Sequence, residues 1–484
     1  MRSGLSAFPT LMTSDSQIFR RCRLIGFAGH RSVPDRAALK AVLRREMDGF
    51  VAGFNGEVIG VSSAAAGADL LFLEVCAEAG IRSVVILPFD RKRFQDDFDD
   101  PEEWRRACGR MDAALWCEIA EGNEEPPAAY HVVARQVLEV ADRMLFVWDG
   151  QPARGLGGTA ETVLEAAEWK IPSRIINAAT LEARWQGNEA DVSSDDHAFK
   201  DLPVAGSAEE LFAKLDQRAM SRAPRFRWFA AGSMSVNHLA TILQAMLIAL
   251  ILVGKELGAL IKFVMALVAA ALPWLGSRLR LQEGWVNDRL RAELLRSVIA
   301  SHQPGSPLRP PAIELFEKDS AFLRSAALQL VGQRVGWDMA RDAYLKERVD
   351  GQIGYFKSKG AVAKKRMKVF GKLFWIASIG TLLFTGAAVL MKAMEAPVSD
   401  GWSRWGMEFV PSVLPGIAAW SLAIVSIFEF KRRANLYEQL VETLQQLRPK
   451  LSEAKCASAA SAAIRQIERL LLNELWEWQG PRRK

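Results

Sequence analysis

Cysteine is scarce, and its placement carries no chemistry. Cys22, Cys76, Cys108, Cys117 and Cys456 are five among 484 residues; an odd number without any CxxC spacing indicates neither a disulfide framework nor a zinc site. Reduced cytosol is the expected surrounding. A basic stripe is also missing. The net charge is a modest +6, and the visible Lys and Arg clusters stand beside apolar stretches, so no nucleic-acid partner is expected. No secretory signal is recognised, which keeps the N-terminal half on the cytosolic side. His197 stands beside Asp195 and Asp196, but one histidine and two neighbouring aspartates in a polar loop are ordinary solvated surface, and no metal is assigned.

Charge itself is absent from two long stretches, residues 373–391 and 409–428. Each is close to the roughly 20 residues that cross a hydrocarbon core, and a helix satisfies its own backbone hydrogen bonds there. Two membrane spans are expected. Lys364, Lys365, Arg366 and Lys368 precede the first, Lys431, Arg432 and Arg433 follow the second, and the loop between them is short and mixed in charge. Retention of Lys and Arg on the inner side makes the pair a hairpin with both ends in the cytoplasm.

A third apolar region, 228–276, has Lys255, Glu256 and Lys262 as its only formal charges. It fits a second hairpin with its tip at 254–256, flanked by Arg222, Arg225 and Arg227 before and Arg278 and Arg280 after. It also fits one long helix lying along the membrane or against the other spans. The hydrophobic share of 50% beside 24% charged residues is the average of soluble and membrane parts, and the juxtamembrane basic residues favour anionic lipid headgroups.

Between about 23 and 180 the pattern changes to short apolar runs at 24–28, 58–62, 84–87, 144–148 and 174–176, separated by amphipathic stretches at 35–50, 68–79, 129–140 and 159–169. This alternation predicts an α/β domain with a parallel sheet and helices on both faces, in which ligands bind beyond the carboxyl ends of the strands. Small residues gather at those ends. The first strand closes on Gly26-Phe27-Ala28-Gly29-His30-Arg31-Ser32, and Ser62-Ser63-Ala64-Ala65-Ala66-Gly67-Ala68-Asp69 runs from the second into a helix. Trp148-Asp149-Gly150 follows a later strand, and Gly155-Leu156-Gly157-Gly158-Thr159-Ala160-Glu161 opens the next helix. Glycine lets backbone N–H groups approach an anion, and a helix start adds partial positive charge. Any one of these loops is more often a plain turn; together they describe a phosphate and ribose cradle.

In this order and spacing the stretch resembles the SLOG superfamily, which holds the LOG-type nucleotide phosphoribohydrolases and the DNA-processing DprA proteins. The resemblance covers about 23–178. It implies a Rossmann-like domain binding a nucleotide or NAD-derived molecule, with contacts at Gly29, Arg31, Gly67, Asp69, Gly157, Gly158 and Thr159. Gly26, Ala28, Ser63, Ala68 and Gly155 belong to the same loops. His30 and Arg31 are candidates to meet phosphate, Arg31 as a bidentate donor with a solvent-facing salt bridge as its other use; Asp149 and Glu161 are candidates for ribose hydroxyls. The hydrolase branch places a glutamate three residues after the threonine of its glycine-rich motif. Here Thr162 holds that position and Glu161 comes one step early. Catalytic geometry tolerates little misplacement, so binding without turnover is expected, with no catalytic residue assigned.

Residues 181–227 are polar and irregular and make a linker. From 277 to 369 helix formers dominate around a proline-rich break, and Tyr344, Arg348, Gln352 and Tyr355 share one helical face, either plain surface or a seam against the helix after the last span. With the Arg-rich Arg289–Arg296 segment, the spans at 370–430 and the basic exit through Lys431, Arg432, Arg433 and Tyr437, this half resembles the SLATT domains, membrane modules associated with SLOG sensors in bacterial conflict systems. In the C-terminal region, 431–484, the last helix places Ile464, Ile467, Leu470, Leu471 and Leu475 along one stripe.

The two resemblances imply a multi-pass protein of the bacterial inner membrane with cytoplasmic termini, a ligand-gated effector of antiphage defence. Its activator would be an ADP-ribose derivative or a cyclic oligonucleotide, with no resident cofactor. Its partners would be membrane lipid, further copies of itself and a signal synthase. The alternatives are a membrane-tethered nucleotide N-glycosidase, or a channel or scaffold without a ligand.

Overall fold

A computed structural model describes residues 19, 21–52, 54–120, 128–152, 157–187, 199, 202–249, 255–278, 281–302, 306–311, 316, 319–333, 336–395, 397–455 and 457–478. The chain forms two units, residues 1–211 with 297–335, and 212–296 with 336–484.

The first unit is built on β1 (Cys22–Gly29), β2 (Glu57–Ser62), β3 (Arg82–Leu87), β4 (Trp116–Ile119), β5 (Arg143–Trp148), β6 (Ser173–Asn177) and β7 (Ala183–Gln186), in the order β4-β3-β2-β1-β5-β6-β7. All neighbours are parallel except β6 and β7, which are antiparallel. The helices are α1 (Arg36–Val51), α2 (Ala68–Glu78), the one-turn α3 (Arg91–Phe94), α4 (Pro101–Ala113), α5 (Ala128–Val140) and α6 (Thr159–Glu168). Strands buried on both sides read as continuous apolar runs, and successive residues serve opposite faces. Ile25, Phe27, Val85 and Val147 join α1, α2 and α4 in one core, whereas Leu24, Val84, Ile86 and Phe146 join α5 and α6 in the other. The expected parallel sheet with helices on both faces is present, and its five foreseen strands fall within β1, β2, β3, β5 and β6.

Caps mark where helices begin. The Asp35 carboxylate accepts from Ala38 N at 2.9 Å before α1, and Asp100 caps α4 ahead of Pro101, whose missing N–H is harmless in the first turn.

The chain leaves this unit through α7 (Ala208–Ala249), continues as α8 (Lys255–Arg278) and returns within α9 (Leu281–Ser301). The returning segment, 297–335, belongs to the sheet unit rather than to the helical region in which the sequence places it. Its helix α10 (Ser320–Gln329) supplies Ser325 Oγ, which accepts from Cys22 N at 3.0 Å. Arg324 pairs with Asp142 at 3.3 Å with both side chains nearly buried, and Leu308 and Leu328 complete the α5–α6 core.

The second unit is all helical. A single 57-residue helix, α11 (Trp337–Ala393), contains one π-helical turn, Leu345–Asp350. After the non-helical residues 397–399, helical residues 400–409 lead into α12 (Val410–Ile427), Glu429 at φ +51° separates it from α13 (Phe430–Ser452), and α14 (Ala457–Trp478) follows. The α11–α12 approach is close at Gly380, where a Cβ would lie 2.9 Å from Leu414 Cδ1. Phe370 meets Trp420 at 5.8 Å, and Phe356 stacks on Tyr437 at 5.5 Å. Lys364–Glu438 and Arg448–Asp350 pairs continue the contact of α11 with α13. The face of Tyr344, Arg348, Gln352 and Tyr355 is not the expected seam: Asp350, Phe356 and Lys364 make the contact with α13, while Tyr344 and Arg348 turn to Glu468 of α14 and Tyr355 is exposed. In α14, Ile464 and Ile467 are buried and Leu470 and Leu471 half-buried; the side chain of Leu475 lies outside the described residues.

Two helices, Trp337–Ala393 and Asp400–Ser452, are long and apolar enough to cross a membrane. Apolar side chains cover the outside of the first: Trp375 is 64% exposed and Leu382 74%, with Ile376, Ile379 and Leu383 beside them. Helix α8 also turns Leu260, Phe263, Leu267 and Trp274 outward. Ser235 of α7 accepts from Trp420 Nε1 at 3.0 Å and Ser233 donates to Ala269 O at 2.6 Å, so α7 lies against both α12 and α8.

Candidate functional site

The strand order reverses between β1 and β5, because the chain builds outward from β1 to β4 and then returns to the other side of β1. Connections on either side of this switch point diverge and leave a crevice beyond the carboxyl ends. His30 follows β1 there and Asp149 follows β5. The two are tied across the crevice. His30 N donates to Val147 O at 3.3 Å, Asp149 N donates to His30 Nε2 at 3.0 Å, and the Asp149 carboxylate lies 3.2 Å from the same nitrogen. Asp149 also accepts from Gln151 N at 2.9 Å, closing the turn through Gly150.

The loop from β2 to α2 is pressed against the end of β1. Gly67 has φ +84°, and a Cβ on it would stand 2.0 Å from Arg31 O, so only glycine fits. Ala68 N donates to His30 O at 3.1 Å. Asp69 is 5% exposed and accepts from Ser62 Oγ at 3.0 Å, Ser63 Oγ at 2.9 Å and Gly29 N at 3.2 Å. Burial pushes its carboxyl up to about 6 despite those three donors, which pull the other way. The carboxylate therefore acts inside the protein, as the post to which both loops are fastened.

The third loop brings Gly157, Gly158 and Thr159 to the start of α6, with Gly155 outside the described residues. Gly157 has φ +76°, and its missing Cβ leaves room for His131 N, which would otherwise lie 2.6 Å away. Glu161 folds back so that its carboxylate accepts from Gly157 N at 2.6 Å, and it lies 3.5 Å from His131 Nδ1. Thr162 is buried, its hydroxyl donating to Gly158 O at 3.1 Å.

Gly26 lies below this edge. A Cβ there would meet Met144 Sδ at 2.3 Å and Val137 Cγ1 at 2.9 Å, so its role is to admit α5 onto β1; Ala28 is half-buried one step short of Gly29.

Several neighbours were not foreseen. The Arg31 guanidinium lies over the Tyr130 ring at 5.1 Å, and the Tyr130 hydroxyl donates to Asp97. Burial, and then the bond to Asp97, raises the Tyr130 hydroxyl well above its usual range. Glu103 of α4 accepts from Gly67 N at 3.0 Å, standing where an anion would meet α2. Tyr130 and His131 sit in an amphipathic helix and Glu103 in a polar one, so nothing local marks them; only the topology assembles them. Among the described residues no cluster of His, Cys, Asp and Glu is disposed to hold a metal. The chain matches no protein-family model and no curated protein.

Proposed function

We propose that this chain is a ligand-gated membrane effector, in which a SLOG-like sheet unit senses a nucleotide-derived signal and a SLATT-like helical unit opens or disrupts a bilayer. The observation that carries the reading is the switch-point edge itself, where the ends of β1 and β5 bring Arg31, His30 and the Asp149 carboxylate to one crevice beside the starts of α2 and α6. The Arg31 guanidinium suits phosphate, and the Asp149 carboxylate suits ribose hydroxyls. An ADP-ribose derivative or a cyclic oligonucleotide has both features. The exposed apolar sides of α8 and α11 support contact with a bilayer; the reading makes α7 and α8 a second hairpin in the bacterial inner membrane and, from the flanking Lys and Arg, puts both termini in the cytoplasm.

Gating from almost closed to almost open takes about 5.5 kcal/mol of differential affinity, within reach of several phosphate and ribose contacts. One hairpin cannot enclose a channel, so the reading includes several copies, and the signal would come from a separate synthase. Burial of Thr162, at the position of the hydrolase glutamate, favours binding over turnover. The test is to reconstitute the full chain in dye-loaded vesicles and add ADP-ribose, NAD or cyclic oligonucleotides. Ligand-dependent leakage with a raised thermal midpoint is expected. Base release from nucleotides at useful turnover would replace the reading with an N-glycosidase, and neither shift nor leakage with any nucleotide would replace it with a ligandless channel or scaffold.

A further inference from the structure

The basic stretch ahead of the first apolar segment is unevenly satisfied. Lys364 donates to both oxygens of Glu438 at 2.9 and 3.0 Å, and Arg366 lies 5.9 Å from the Phe430 ring. Lys365, Lys368 and Lys372 have no carboxylate within ion-pair distance among the described residues, and all three are exposed. Together with Lys364, Ala361 and Val369 they line one groove on α11. Their spacing of three and four residues stacks the three ammonium groups on a single helical face, over roughly 10 Å of axis at 1.5 Å per residue. Like charges at these spacings repel, and no counter-charge stands against this face among the described residues.

Its position says what supplies one. Val369 within the groove and Trp375, one turn past Lys372, are exposed, and the exposed apolar belt of Ile376, Ile379 and Leu382 continues directly from them. An exposed tryptophan between a basic turn and an apolar belt is the pattern of a headgroup boundary. Lysine binds phosphate as a point charge without needing the fixed fork that arginine offers.

We infer that Lys365, Lys368 and Lys372 form a binding site for the phosphate of an anionic phospholipid, seated at the cytoplasmic headgroup level against α11. The proposal rests on the membrane reading above, and two measurements separate the two. Extraction of cell membranes with alkaline carbonate tests the membrane reading alone: release of the chain into the supernatant would overturn it. The lipid site is tested on the full-length chain in a neutral detergent, titrated with phosphatidylglycerol or phosphatidylcholine and followed by native mass spectrometry.

The wild-type chain should retain phosphatidylglycerol over phosphatidylcholine. The K365Q/K368Q/K372Q variant should lose about 100-fold of that preference, the product of about fivefold for each lysine. The corresponding Lys→Arg triple should keep it, which a change in folding alone would not arrange. Equal retention of the two lipids by a carbonate-resistant chain, or an unchanged preference in the glutamine variant, would overturn the site while leaving the membrane reading in place. Displacement of phosphatidylglycerol by an equal concentration of glycerol phosphate would also overturn it, since the groove would then serve a soluble phosphate.

Discussion

Arg348 and Glu468, 120 positions apart, meet in a two-pronged pair: the guanidinium donates to both carboxylate oxygens at 2.9 and 2.8 Å, with the side chains 7% and 0% exposed. The Tyr344 hydroxyl donates to the same carboxylate at 2.6 Å. Burial and the neighbouring carboxylate together hold that phenol well above its usual range, so it stays a donor at any physiological pH. Arg348 stands in the π-helical turn, a local departure from regular helix that often marks a functional position. Breaking such a pair from one side leaves a buried charge without its partner, whereas replacing both sides by apolar groups is often neutral. Glu468→Leu should therefore destabilise the helical unit by about 3–5 kcal/mol, and Arg348→Met/Glu468→Leu by much less. Thermal unfolding of the full chain in detergent reads both; equal losses would show that the pair is not the anchor of α14.

Asp69 makes stability depend on pH in the direction opposite to an ordinary salt-bridged carboxylate. Its carboxyl is pushed up to about 6 in the fold, against about 3.9 in an unfolded chain. Between those values the unfolded state has released the proton and the native state has kept it. Its contribution is complete below about pH 4 and falls by roughly 3 kcal/mol as pH rises through 6. Other carboxylates titrate in the same window, so the quantity to measure is the difference between wild type and Asp69→Asn across pH 4 to 7. That difference should move by the stated amount, and a flat difference would remove Asp69 as the source.

Two glycines of the same edge should fail in different ways. Gly67 has φ +84° and no space for a Cβ beside Arg31 O, so Gly67→Ala should cost about 2 kcal/mol or more of stability whether or not a ligand is present. Gly158 caps α6 at φ −82°, an ordinary backbone for any residue. Gly158→Val should then fold with a near-normal thermal midpoint and lose the ligand-induced shift. If Gly158→Val unfolds the unit as Gly67→Ala does, the third loop serves the fold and not a ligand.

What the sequence made legible follows from where the burial lies. Central strands of a parallel sheet are covered on both faces, so β1, β2, β3, β5 and β6 announce themselves as apolar runs. At the margins that signal is missing. β4 is four residues ending on an exposed Ile119, and β7 reads Ala-Arg-Trp-Gln with its arginine outward. The polar helix α4 hides for the same reason, and with it Glu103. Nothing short-range could place α10 on the sheet, since its bond from Ser325 to Cys22 spans 303 positions. Likewise the glycine loops were visible as motifs, but their use was not. Asp69 looked available to a ligand and is instead consumed by Ser62, Ser63 and Gly29, while Gly26 serves the packing of α5.

The exposed belt on α11 separates insertion from packing. Ile379 and Leu383 lie four residues apart on the outside of the helix, and Ala377, 1% exposed, lies among its buried residues. A lysine near the centre of a span costs about 2.5–3.5 kcal/mol on the insertion scale, so Ile379→Lys/Leu383→Lys adds roughly 5–7 kcal/mol and should raise the share of the chain that carbonate releases, short of the whole because the proposed α7–α8 hairpin also anchors it. The same exchange at Leu164, exposed on α6 of the sheet unit, should leave fractionation unchanged. Ala377→Leu should stay in the membrane fraction, because the added side chain is apolar, yet lower the thermal midpoint by overfilling a packed position, at a cost of about 1–3 kcal/mol. If both lysines leave the carbonate-released share and the thermal midpoint unchanged, the outer face of α11 is not in contact with lipid, and its apolar side chains must be covered by protein.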